Sequence, residues 1–149
     1  MSETLDASVH ATPRHLWVVG VIALLWNAVG ALDFVMTQTK DEAYMSSFTP
    51  EQLEFFYGFP AWVVAAWAVA IWGGVIGSVL LLLRKRFAVQ LFLVSLAAMV
   101  ITTIQNYVLS DGFEIIGDTF TLVFTAAIFL AAVALFLYAR AMHRRGVLA

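Results

Sequence analysis

The sequence predicts an all-α integral membrane protein, a four-helix bundle with both termini inside the cell and a short interfacial helix in its first outer loop. Three observations carry that expectation. Four apolar runs, at about 15–36, 60–83, 87–109 and 119–139, each reach the roughly 20 residues a helix needs to cross about 30 Å of hydrocarbon. Hydrophobic residues make up 62% of the 149-residue chain and mean hydropathy is +0.91, too apolar for a soluble domain of this size. The charges are also sorted between alternate gaps. Arg14, Arg84, Lys85, Arg86, Arg140, Arg144 and Arg145 flank one side; Asp41, Glu42, Glu51, Glu54, Asp111, Glu114 and Asp118 fill the other, beside the single cation Lys40. Short basic loops stay cytoplasmic, so the chain reads as a multi-pass inner-membrane protein with both acidic loops outside. Transmembrane strands are excluded, because the runs are long and lack polar–apolar alternation.

The elements follow in order. Residues 1–14 read as a flexible cytoplasmic tail, 15–139 as the four-helix domain and 140–149 as a basic cytoplasmic tail. In the first outer loop, Thr49-Pro50-Glu51-Gln52 has the form of a capping box, with proline at the first helical position. Leu53, Phe55, Phe56 and Tyr57 follow, ended by Gly58. With Trp62 at the start of the next span, this segment is an aromatic anchor in the interface or a lid over the mouth of the bundle. Pro60 opens the second span where a missing N–H costs nothing.

The second span carries small residues at four-residue spacing, Ala66, Ala70, Gly74 and Ser78, with Gly73 and Gly77 alongside. Small residues let lipid-embedded helices approach closely. Packing within the bundle is the plainer use of this row, homodimerisation the sharper one. Trp67 and Trp72 lie deeper, where they either line a cavity or, the plainer role, fill space in the bundle.

Polar groups inside hydrocarbon are costly, so each is a candidate for function. The strongest are Asn27 in the middle of the first span, Asp33 about a turn from its outer end, and Gln105 and Asn106 near the outer end of the third. If the first and third spans are neighbours, these four build a small polar pocket open to the outside and roofed by residues 53–57. Asp33 is then either an interface carboxylate bonded to a loop N–H or to Lys40, or a protonatable or cation-binding group.

Chemistry of other kinds finds no support. The chain has no cysteine, which removes disulfides, thiolate catalysis and thiolate metal sites. His10, His15 and His143 all fall on the inner side or in the tails, so no two bracket a haem or metal within the membrane. No phosphate-binding loop, nucleophile–base set or catalytic carboxylate pair stands in a credible context. The expectation is a non-enzymatic protein with no cofactor, no metal and no catalytic residues. Its partners are the lipid bilayer and, as options, a second copy or a larger membrane complex; the inner basic residues suit anionic lipid rather than nucleic acid.

Several stretches resemble a group of small four-helix proteobacterial inner-membrane proteins, some labelled sugar transporters. They are Leu25-Trp26-Asn27-Ala28-Val29-Gly30-Ala31-Leu32-Asp33, Phe48-Thr49-Pro50-Glu51-Gln52, Tyr57-Gly58-Phe59-Pro60-Ala61-Trp62, Trp72-Gly73-Gly74 and Asn106-Tyr107-Val108-Leu109-Ser110-Asp111-Gly112. The proline–glutamine signature of the small three-helix sugar exporters is not among them. Transport or binding of a small polar solute is the implied function. An accessory subunit of a larger membrane complex is the alternative, since it needs only an apolar flank and anchors.

Overall fold

A computed structural model describes residues 12–149. The expected tail lies mostly outside these residues, as does His10. The chain forms α1 (Arg14–Gln38), α2 (Glu42–Met45), α3 (Pro50–Tyr57), α4 (Ala61–Leu82), α5 (Phe87–Tyr107), α6 (Gly112–Ile115) and α7 (Thr119–Arg144). Among the described residues four helices, α1, α4, α5 and α7, are long and apolar enough to cross a membrane, at 25, 22, 21 and 26 residues. The protein is a multi-pass membrane protein whose spans form an all-α bundle.

The helix ends follow from local chemistry. At α3 the capping box forms in full: Gln52 N–H donates to Thr49 Oγ1 at 3.2 Å, and Thr49 N–H donates to Gln52 Oε1 at 3.1 Å. Asp41 caps α2 by accepting from Tyr44 N–H at 2.9 Å. Asp118 caps α7, accepting from Thr121 N–H at 3.0 Å and from its hydroxyl at 2.7 Å. Both Thr121 bonds favour the charged form and hold the Asp118 carboxyl below its usual range.

Three spans share one C-terminal device. After α1, α4 and α7 the chain enters the left-handed region at Lys40 (φ 54°), Arg84 (φ 57°) and Gly146 (φ 76°). The paired bonds of a Schellman motif form each time, as in Lys85 N–H to Leu80 C=O at 2.8 Å and Arg84 N–H to Leu81 C=O at 3.0 Å. The orphan carbonyls at these ends are thus satisfied where the helix reaches the interface.

By backbone proximity the spans form a row, α1, α4, α5, α7, whose two ends meet through side chains. α4 lies against both α1 and α5, and α7 lies against α5. The small residues of α4 serve two partners at once. A methyl group on Gly77 would sit 2.9 Å from the Phe92 ring of α5, and one on Gly73 3.2 Å from Ser95 Cβ. Gly74 and Ser78 instead face Asn27 of α1. The expected adjacency of the first and third spans therefore does not arise: α4, slim on two faces, stands between them.

The basic end of the bundle is closed by a packed core of Leu16, Leu81, Ala88, Phe92, Ala139, Met142, Val147 and Leu148. The stretch read from the sequence as a basic tail, 140–149, is ordered against this core. α7 runs on through Arg144, and the chain then folds back so that Val147 and Leu148 are buried. Ala149 pairs with the α4–α5 turn, donating its N–H to Arg84 C=O at 2.9 Å and accepting from Arg86 N–H at 3.2 Å. Arginines at the helix end sit where they favour the dipole, so charge did not end the helix.

Candidate functional site

On the acidic side of that core the row of helices curves around a cavity of about 580 Å3. All four spans line it. α1 contributes Trp26, Asn27, Gly30 and Asp33; α4 contributes Val63, Trp67, Ala70 and Ile71; α5 contributes Met99, Thr102, Thr103, Asn106 and Tyr107; α7 contributes Phe124, Thr125 and Ile128. Tyr44, Phe48, Gln52 and Phe56, from the first loop, cover its acidic end. α1 and α7, the two ends of the row, meet through side chains. Trp26 and Phe124 lie 5.9 Å apart between ring centroids, and His15 Nδ1 shares a hydrogen bond with the Tyr138 hydroxyl at 2.5 Å.

Of the four polar residues singled out from the sequence, three line this cavity and one does not. Asn27 is anchored from its amide nitrogen, which donates to Ala23 C=O at 2.8 Å and Ser78 Oγ at 3.3 Å. Ser78 passes the chain on to Gly74 C=O at 2.8 Å. Asn106 lines the α5 wall, and its Oδ1 is buried without a hydrogen-bond partner, as is the adjacent Tyr107 hydroxyl. Gln105 turns away. It donates to Ser110 Oγ at 3.0 Å and lines a separate cleft of about 370 Å3 between the ends of α3 and α5. Residues 102, 103, 106 and 107 make up the cavity face of α5, and Gln105 lies off that face, toward Ser110.

Asp33 has a partner that the sequence did not suggest. Neither Lys40 nor a loop N–H reaches it; the Tyr44 hydroxyl donates to its Oδ1 at 2.5 Å. Lys40 lies instead over the Tyr57 ring, 4.7 Å from the centroid. Burial, then the hydrogen bond to Asp33 and its charge, push the Tyr44 phenol up to about 12.

The aromatic segment of the first loop divides its work. Phe56 lines the cavity and Phe55 the separate cleft, while Tyr57 receives Lys40. Leu53 lines neither. Trp62 is half exposed at the start of α4. Trp67 lines the cavity and stacks edge-on with Phe34 at 4.8 Å. An aromatic string runs on from it through Phe59 to Phe56 and Phe48.

Among the described residues lining the cavity, Asp33 carries the only charged side chain. Aromatic and aliphatic groups make most of the wall. Several hydroxyls are already engaged: Thr102 and Thr103 donate back to Met99 C=O, and Ser95 donates to Ala70 C=O. The arrangement has the features of a ligand pocket, mostly apolar with a few placed polar groups. No protein-family model, curated protein or solved structure matches this chain.

Proposed function

We propose that the protein is a non-enzymatic carrier or binder of a small amphipathic solute in the bacterial inner membrane, with both termini cytoplasmic. The observation that supports this is a single cavity lined by all four spans, ending against a packed core at the basic end and covered by a short loop helix at the acidic end. The charge asymmetry supports an orientation with the acidic end outward. The sequence alone favoured a polar solute; the aromatic character of the wall moves the reading to a molecule with an apolar body and one polar group. Transport through such a site requires the basic-end core to open in alternation with the loop.

The competing reading is an accessory subunit. It draws support from α7, which besides its contacts with α5, α1 and the cavity leaves large apolar side chains such as Val123, Leu130 and Leu137 exposed.

The chain lacks cysteine, so single-cysteine variants test both readings on a silent background. Asn106→Cys and Thr102→Cys should react with a small membrane-impermeant methanethiosulfonate in right-side-out spheroplasts, and Leu130→Cys on the lipid face should not. Reaction only after the cytoplasmic side is exposed would overturn the orientation. No reaction from either side, with co-purification of much larger chains, would favour the subunit reading.

A further inference from the structure

We infer that the cavity takes an amphipathic monovalent cation, a quaternary ammonium or similar group on an aromatic or alkyl body, with Asp33 as its counter-ion. This rests on the cavity being a ligand site, and it names the class of ligand.

The argument is one of complementarity. A charge partly withdrawn from water is better tolerated when it is paired; Asp33 is half-buried, and the wall offers this one carboxylate and no basic side chain among the described residues. An anion would meet Asp33 with nothing to offset it, and a dianion or zwitterion would lack a cationic partner. Lys40, the one Lys or Arg in the acidic loops, is drawn aside over Tyr57 and leaves Asp33 unneutralised. Trp26, Tyr44, Phe48, Phe56, Trp67 and Phe124 bring ring faces and edges into the same space. Such rings attract a weakly hydrated cation through their quadrupoles and its apolar body by contact. Outside the mouth, Glu51, Glu54, Asp111 and Glu114 raise the local concentration of cations.

The Tyr44–Asp33 hydrogen bond gives the site a cover. Tyr44 belongs to the loop and Asp33 to the first span, so a cation that pairs with Asp33 competes directly with the bond that ties the loop down.

The test uses the full chain in an uncharged detergent and a matched pair of probes: (phenethyl)trimethylammonium and its neutral carbon isostere, (3,3-dimethylbutyl)benzene. Binding is read by calorimetry and by the fluorescence of the cavity tryptophans. The cation should bind at least 10-fold more tightly than the isostere. Asp33→Asn should abolish that preference and Asp33→Glu retain most of it. Tyr44→Phe, which frees Asp33 while keeping the ring, should strengthen cation binding several-fold and leave the isostere unchanged. Equal binding of both probes, or a cation preference that survives Asp33→Asn, overturns the cation inference and leaves the cavity reading standing. Binding of neither probe overturns both.

Discussion

The Tyr44 hydroxyl donates to Asp33 Oδ1 at 2.5 Å, tying the first loop to the first membrane span. The two residues are brought together by the turn at Lys40 and by the Asp41 cap, which starts α2 in the register that points Tyr44 back toward α1. A four-residue helix is not stable by itself, and besides the buried Met45 it depends on tertiary bonds for its place. One hydrogen bond to a carboxylate, with the Tyr44–Phe48 and Phe48–Phe56 ring contacts behind it, sets where this loop rests.

That bond has a pH signature. The Tyr44 phenol titrates at about 12 in the fold, above its ordinary value of 10.0, so the folded protein prefers the neutral form. Its contribution is complete below pH 10 and is lost as pH rises through 12, when the phenolate meets the Asp33 carboxylate. Tyr44 is partly exposed, so screening limits the effect to about 1 kcal/mol. The melting-temperature difference between the wild type and Tyr44→Phe should therefore shrink between pH 10 and 12. A difference that stays constant across that window would count against the assignment.

A second prediction concerns the contact between α1 and α4. A methyl group on Gly74 would land on the Asn27 amide oxygen and push the amide away from Ser78. Gly74→Ala should cost about 1–3 kcal/mol, as overpacking does. Asn27→Ala alone should cost about 0.6 kcal/mol, typical of an interhelical hydrogen bond in a membrane. The double variant should be clearly more stable than the sum of the two, because the smaller side chain makes room for the methyl. Gly77→Ala presses on Phe92 across the other face of α4, so it should add to Asn27→Ala without coupling. Equal coupling in both pairs would contradict the two-faced packing of α4.

The spans were legible because about 20 unbroken apolar residues admit one solution in lipid, a helix with its backbone bonds satisfied internally. The start of α3 was legible because a capping box is local chemistry, complete within four residues. The neighbours of each helix were not. Gly73, Gly74, Gly77 and Ser78 fit a slim helix facing one partner or two, and only the packed bundle shows that Gly77 meets Phe92 while Gly74 meets Asn27. Asn106 was recognised for its cost in hydrocarbon, but its neighbour Gln105 was grouped with it by proximity in sequence, which a helix turns into divergence. Tyr44 carried no signal at all. Its pairing with Asp33 depends on the path of an irregular loop, and no periodicity encodes that path.

The last prediction tests the closed end of the bundle. Leu148 is 3% exposed and packs with Leu16, Leu81 and Met142, although it lies beyond three arginines in a stretch that reads as a solvated tail. If this residue seals the basic end, Leu148→Ala should cost about 2 kcal/mol in thermal unfolding of the purified protein, the lower range for a buried leucine. Leu130 on α7 is 70% exposed on the apolar surface, and Leu130→Ala removes the same atoms from a site that meets only lipid or detergent. Its cost should be near zero. The comparison separates a structural plug from a general loss of hydrophobicity. Equal effects of the two substitutions would mean that the final residues do not close the bundle, and the cavity would then be open toward both ends.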